Sequence, residues 1–384
     1  MLPSDRAWAK IDLDAIRHNL HICHQMSPSQ ELWPILKANA YGHGAIECAK
    51  ICEEFGVEGI GVGDSKEALE LRNAKIKTPL LILGTAIDSE IPLLLQHNVA
   101  AGIHSEIRVH DLNRICDSFQ KPLDVHLNID TGMGRLGVLP KALPRIAKAL
   151  RNSPNLHLKG VMSHIANTSN PKDEFTNYQK ELFKNSIKTL HRLLPEVNFK
   201  SHISNSMDFL STESSIGDAV RPGIAIFGLT PNAKKHNLKP ALSLYTQIAF
   251  FKDVPELHPI GYDSTFITSR PSRIATLPIG YNDGIPYSLG ESGNGEVLVR
   301  GKRCPIVGKI SMDYCCIDIT KVNGVSIGDV VTIIGEDVNE EISALELAKK
   351  SRSISYEICC SIGSRVKRYY TGSKNRSYQY EKTV

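Results

Sequence analysis

The sequence has little that would tie it to a nucleic acid, a membrane or an oxidising compartment. Basic residues outnumber acidic ones by only 45 to 41, a formal charge of +4, and they are spread along the chain. A nucleic-acid surface needs a basic stripe interleaved with aromatics, and aromatics make up only 6% here. No apolar run approaches the length that crosses a bilayer. The opening MLPSDRAWAKIDLDAIRHNL lacks an apolar core flanked by a cleavage site. Nine cysteines are present, but no spacing resembles a zinc site. An odd count without a secretion signal fits reduced thiols. The neighbours Cys315 and Cys316, and Cys359 and Cys360, should each split between core and surface. The expectation is a cytoplasmic protein with no metal, nucleic-acid or membrane partner.

What the chain does have is a long alternation of apolar runs and helix-period stretches between about residues 30 and 230. The candidate strands are Leu32–Lys37, Gly59–Gly63, Leu80–Gly84, Val99–Ile103, Asp124–Ile129, Leu158–Ser163, Lys200–Ser204 and Ala219–Phe227. Helical stretches such as Ser65–Asn73, Leu139–Arg151 and Asn177–Leu194 lie between them. Eight alternating units with nearly all-apolar strands predict an α/β fold of the (β/α)8, TIM-like barrel type. An open doubly wound sheet is the runner-up, and the strand count argues against it. Ala7–Asp12 reads as an extra strand feeding a helix over Leu13–His24, with Asp12 as N-cap.

After Pro240 the texture changes to short β-like runs at Leu242–Phe250, Arg273–Leu277, Glu296–Val299, Cys315–Ile319 and Val330–Ile334. Gly-Asp, Asn-Gly and Pro turns punctuate them, and one helix is expected at Ile342–Lys350. The expected division is a barrel over 1–238 and a smaller, mostly β C-terminal domain over 239–384. The polar tail after Tyr370 is expected to be loosely held.

Barrel enzymes carry their sites at the C-terminal ends of the strands. Those ends present Lys37, Asn128 and Asp130, His164, Ser204-Asn205-Ser206, and Arg221 followed by Gly223. Taken singly, each has an ordinary structural reading: Lys37 as a solvent-facing lysine, His164 as a core histidine, Arg221 as a helix cap, Ser206 as a turn residue. Together they place a lysine able to form an imine opposite donors at Ser206 and Gly223-Ile224 that suit a phosphate, which suggests pyridoxal phosphate. The segment IDTGMGRLG (Ile129–Gly137) adds three glycines and Arg135, a choice that weakens a strand end and so calls for another explanation.

Across nearly the whole chain the sequence resembles the alanine racemases. The matching stretches, in order, are AWAKIDLDAIRHNL, LKANAYGHG, NIDTGMGRLG, VMSHIAN, SNS, VRPGIAIFGL, LPIGYNDG, VGKISMDY and SYE. The resemblance implies a pyridoxal phosphate enzyme interconverting L- and D-alanine, with Lys37 as covalent anchor and one of two bases. It implies Tyr262 as the second base, nineteen positions before Tyr281. Arg221 would face the pyridine nitrogen, with His164 linking it toward Tyr262. Tyr41, Ser206, Gly223, Ile224 and Tyr356 match the phosphate contacts. Arg135 and the backbone of Met312 match the carboxylate contacts. Tyr262, Tyr281 and Met312 would come from a second copy of the chain in a homodimer.

One position departs from the family pattern. Asn128 stands where the family often has a carbamylated lysine, and an asparagine carries no carbamate. The expectation is that Asn128 holds Arg135 by a neutral hydrogen bond, with a bound anion such as chloride nearby. Three rivals remain in view: a basic amino-acid decarboxylase on the same barrel, a non-catalytic pyridoxal phosphate carrier, and a racemase for serine or another small amino acid. A decarboxylase would pair the pyridine nitrogen with a carboxylate where this chain has Arg221. A carrier would not need the domain bearing Tyr262 and Met312.

Overall fold

The structure, a computed structural model, describes residues 5–167, 173–211, 215–372 and 378–379. After β1 (Ala7–Asp12) come β2 (Glu31–Leu32), β3 (Ile60–Val62), β4 (Leu80–Ile82), β5 (Val99–Ile103), β6 (Leu123–Asn128), β7 (Leu156–Met162), β8 (Lys200–Asn205) and β9 (Ala219–Arg221). From β3 to β9 each strand pairs in parallel with the next, and β2 pairs with β9. A parallel bridge between Ile35 and Gly61 joins the two ends of the sheet. There the Leu36 N–H donates to the Gly61 carbonyl, and the Gly61 N–H to that of Pro34. The eight strands thus curl into a TIM-like barrel.

The strands are apolar because helices cover their outer faces while side chains fill the inside. The covering helices start on side-chain caps: Asp64 accepts from the Glu67 N–H before Ser65–Asn73, and Asp173 from the Thr176 N–H before Glu174–Leu193. Asp12 caps Leu13–Met26 as the sequence predicts, accepting from Asp14 and Ala15.

Four barrel strands are shorter than expected, Gly59–Gly63 and Leu80–Gly84 by two residues each and the first and last by more. Leu32–Lys37 keeps sheet pairing only at Glu31–Leu32 and Ile35, and Lys37 opens a distorted turn. Ala219–Phe227 stops at Arg221, since Pro222 has no N–H to extend the ladder and Gly223 begins a run of turns.

β1 lies outside the barrel. It pairs antiparallel with Leu242–Gln247 and in parallel with Lys367–Thr371, so both ends of the chain meet in the second sheet. A cut at residue 238 therefore leaves one strand of that sheet on the barrel side. The expected strand Leu242–Phe250 is two strands: Leu242–Gln247 lies inside the sheet between β1 and Val330–Asp337, and Phe250–Val254 lies at its edge. Lys302–Val307, which the sequence reading passed over, pairs with both Glu296–Val299 and Cys315–Asp318. Two helices follow, Ala344–Ser351 and Ser355–Cys360. Cys315 and Cys359 are buried, Cys316 is half-buried and Cys360 exposed, and none of the nine cysteines is in a disulfide. In the tail, Tyr378–Gln379 pairs with Lys367–Thr371, while 373–377 and 380–384 lie outside the described residues. No described helix is long and apolar enough to cross a membrane.

Candidate active site

Lys37 stands at the C-terminal end of the first barrel strand, where the backbone turns the wrong way. Ala38, Asn39, Ala40 and Tyr41 all have φ between 51° and 54°, one full turn of left-handed helix without a glycine. Such residues cost on the order of 1–2 kcal/mol each, so neighbouring structure must hold them. Glu67 accepts from the Ala38 N–H at 2.6 Å and from the Gly63 N–H at 2.7 Å. Asn39 Oδ1 accepts the Ala45 N–H at 2.7 Å, starting the helix Ala45–Phe55. The second domain closes the turn from above. Arg368 donates to the Gly42 carbonyl, and Gly42 and Gly44, at φ 82° and 96°, leave no room for a Cβ against the Cys359 carbonyl and the Tyr370 hydroxyl. Lys37 itself is exposed at the rim. Partial burial, then the Arg135 guanidinium, shift its amine below the usual lysine range, against the opposing Cys360 and Glu67.

Tyr41 is buried at the far end of this turn, its ring edge-on to Tyr356 at 6.4 Å and tilted against Phe227 at 5.6 Å. Burial pushes its phenol up, so it remains a hydroxyl donor. Its oxygen faces Gly223, where a Cβ would fall 2.7 Å away. Ser206, at the end of β8, accepts the Gly223 N–H at 2.9 Å and the Ala225 N–H at 3.2 Å. With both acceptor positions used, the Ser206 O–H is left to donate. The Ile224 N–H donates to no described group. A phenol, a hydroxyl and an amide therefore converge on a space that only a glycine at 223 keeps open, as a phosphate requires.

Arg221 is 5% exposed at the end of β9. Its Nη1 donates to His202 Nδ1 at 2.6 Å and to the His202 carbonyl at 2.7 Å, and its Nη2 to the carbonyls of Ser163 and Ile203. Among the described residues no carboxylate pairs with it, and burial lowers its pKa to about 10, leaving it charged at neutral pH. His202 Nε2 lies 2.8 Å from His126 Nδ1, and Trp33 stacks on the His202 ring. Arginine only donates, so His202 must carry its proton on Nε2 and pass it toward His126 Nδ1. Burial and Arg221 hold His202 well below the usual histidine range and His126 at about 3.

The expected link from Arg221 through His164 is not formed within the chain. The His164 ring makes no hydrogen bond with the described residues, and the imidazole that holds Arg221 is His202. Burial, Arg221, Arg135 and Lys37 lower His164 to about 3, so it is a neutral ring among three cations. Asn128 does not hold Arg135 either. The glycine-rich segment is organised by Asp130, which accepts the Gly132 N–H at 2.9 Å and the Gly134 N–H at 3.0 Å. That carries Arg135 out to an exposed position, where it makes no hydrogen bond or ion pair with the described residues.

The remaining expected site residues stand on the second domain. Tyr262 is 68%, Met312 54% and Tyr281 44% exposed. Tyr262 makes no hydrogen bond or ring contact among the described residues. The turns beneath the other two are tied together: the Asn282 N–H donates to the Met312 carbonyl, and Arg365 bridges Asp283 and Asp313.

Comparison with known proteins decides the family. Residues 11–231 match the alanine racemase N-terminal domain and residues 241–370 the alanine racemase C-terminal domain. The chain belongs to the alanine racemase family. It is 38% identical over 369 residues to the alanine racemase of Methanococcus maripaludis, covering 94% of this chain and 98% of that one. Among solved structures, alanine racemase from Bacillus anthracis with bound L-Ala-P superimposes with a TM-score of 0.89 at 34% identity, covering 99% of this chain and 98% of the other. Alanine racemase from Bartonella henselae with covalently bound pyridoxal phosphate does so with a TM-score of 0.85 at 30% identity, covering 96% and 100%.

Membership in the alanine racemase family brings pyridoxal phosphate into question for this chain, and the residues fit it. The open cradle at Gly223 suits the phosphate, and Arg221 is a buried donor without an anionic partner. Four residues that hold this site escaped the sequence reading: Glu67, His126, His202 and Arg365. For His126 a signal was present, since it stands between the apolar Val125 and Leu127; His202, in the mostly polar strand KSHISN, offered none.

Proposed function

We propose that this chain interconverts L-alanine and D-alanine with pyridoxal phosphate, as a homodimer in which each site is completed by the second copy. The observation that carries the reading is Arg221, a buried guanidinium at the barrel rim surrounded by carbonyls and an imidazole, with no carboxylate. When bound, pyridoxal phosphate supplies an electron sink that makes the α-proton of an amino acid removable. Tyr41, Ser206, Gly223 and Ile224 would hold its phosphate, with Tyr356 packed edge-on to Tyr41, and Lys37 would be its covalent anchor. Arg221 would donate to the pyridine nitrogen and, being always protonated, leave that nitrogen without a proton of its own. The sink is then weaker than with a carboxylate partner, which favours prompt return of a proton over transamination or decarboxylation.

Racemisation takes a proton from one face and returns one to the other, so two bases suit it. Lys37 would serve the D face, helped by the burial and the Arg135 charge that disfavour its ammonium form. Tyr262 of the partner subunit would serve the L face, and His164, neutral and set among the cations, would stand between that phenol and Arg221. Arg135 is free to take the substrate carboxylate, with the Met312 backbone of the partner subunit. D-Alanine made this way in the cytoplasm would supply cell-wall peptidoglycan.

The test is to incubate the purified protein with pyridoxal phosphate and L-alanine and follow optical activity. An equal mixture of enantiomers is expected. Release of carbon dioxide and an amine, or no D-alanine, would overturn the reading.

A further inference from the structure

The ladder between the first two barrel strands breaks at the point where Lys37 leaves it. In a parallel pair in the register of Ile35 and Gly61, the next two rungs would run from the Gly63 N–H to the Leu36 carbonyl and from the Ala38 N–H to the Gly63 carbonyl. Neither forms. The Leu36 carbonyl instead accepts the Ala40 N–H of the left-handed turn at 2.8 Å. Both orphaned amides go to one side chain: Glu67 Oε1 takes Ala38 at 2.6 Å and Oε2 takes Gly63 at 2.7 Å. Glu67 is held in turn, since its own N–H donates to the cap Asp64 at 2.9 Å and it sits in the first turn of Ser65–Asn73. A Cβ built on Gly63 would fall 3.1 Å from Glu67 Oε2 and 3.5 Å from Lys37 Cβ, so the carboxylate and the lysine stem share one small space.

We propose that Glu67 is a positioning residue for Lys37: its two carboxylate oxygens replace the missing rungs and so fix the left-handed turn that presents the amine at the rim. The inference rests on the reading of Lys37 as the pyridoxal phosphate anchor. Glu67 touches the amides on either side of the barrel seam and no reacting atom. Its charge acts as well as its shape. Around the Lys37 amine stand Arg135 on the glycine-rich segment, His164 after β7, Cys360 on the second domain and Glu67, and only Glu67 brings a full negative charge.

Two variants separate length from charge. Glu67→Gln keeps the length but offers one acceptor and no charge. Glu67→Asp keeps the charge but is too short to span both amides. The measurements use the full-length protein stripped of cofactor: affinity for added pyridoxal phosphate, pH dependence of Lys37 labelling by an amine reagent read by mass spectrometry, and the melting temperature. Both variants are expected to bind pyridoxal phosphate at least about tenfold more weakly, the scale of a lost charge-assisted hydrogen bond. Only Glu67→Gln should move the midpoint of Lys37 labelling to lower pH, because only it removes the negative charge. Wild-type cofactor affinity and labelling in both variants would overturn the proposal. A lowered melting temperature with unchanged labelling and affinity would overturn it too, leaving Glu67 a purely structural residue. If Glu67→Gln fails to fold, the affinity of Glu67→Asp decides. Failure of the underlying reading would look different: wild-type protein would carry its pyridoxal phosphate adduct on another lysine.

Discussion

On the barrel rim, Arg221 is buried beneath four acceptors and Ser206 is gripped by two amides, whereas on the second domain Tyr262, Tyr281 and Met312 stand largely in solvent. The backbones of the two regions are equally well held. Glu67 and Arg368 pin the turn around Lys37, and Arg365 with Asp283 pins the turns beneath Tyr281 and Met312. What differs is cover. Two phenols and a thioether in the open leave apolar surface that a second copy would cover. The cover proposed here is the barrel rim of a second copy, and each prediction below sets one region against the other.

The largest effect is expected for Tyr262→Phe, which should lower racemisation in both directions by at least about a thousandfold if the phenol is an essential base. Exchange of the α-proton of D-alanine with deuterated solvent should persist, because in the proposed mechanism Lys37 would serve that face. If exchange into both enantiomers fell equally, the assignment of faces would be wrong.

Next, inactive Lys37→Ala and Tyr262→Phe chains can be unfolded together and refolded as a mixture. Half of the dimers should be mixed, each with one site holding both intact residues, so about a quarter of wild-type activity should return. No recovery from a properly dimeric mixture would sink the shared site.

A smaller effect concerns acid. His43, lowered to about 4 chiefly by burial, joins His126, His164 and His202 as a histidine kept neutral inside or beside the barrel. Their folded values lie below the unfolded value near 6.5, so the unfolded chain binds more protons as pH drops. Stability should therefore be full above pH 6.5 and fall steadily as pH falls toward 3. Urea melts at pH 7 and pH 5 check this, and His126→Asn should flatten the slope. An unchanged slope would mean that His126 is not a neutral buried group.

The smallest effect is expected at Met312→Leu. The proposed contact is the Met312 backbone, which the Asn282 N–H and its neighbours already fix, so the KM for alanine should stay within about twofold for a volume-conserving swap. A tenfold rise would assign the contact to the side chain.

Much of the barrel could be read in advance because strands such as Ile60–Val62 and Leu80–Ile82 are buried on both faces and so are written in unbroken apolar residues. Lys302–Val307 was missed for the opposite reason: Lys302, Arg303 and Pro305 lie exposed, and the run KRCPIV carries no clear alternation at its start. The expected hydrogen bond from Arg135 to the Asn128 amide oxygen is not formed, because sequence distance says nothing of where a glycine-rich loop carries its side chains. Asp130, only two residues away, captured the loop amides instead.

The sequence by itself determined the barrel, through its alternation of apolar strands and helices, and the family and the candidates Lys37, Arg221 and Tyr262, through the order of its motifs. Only the tertiary structure decided how Lys37 is presented. KANAY favours a right-handed helix locally, and the left-handed turn exists because Asn39 within it, and Glu67 and Arg368 brought from two other parts of the fold, supply the hydrogen bonds that offset its strain. The same holds for Arg221, whose imidazole partner His202 lies on the neighbouring strand and could be chosen only once the barrel had closed.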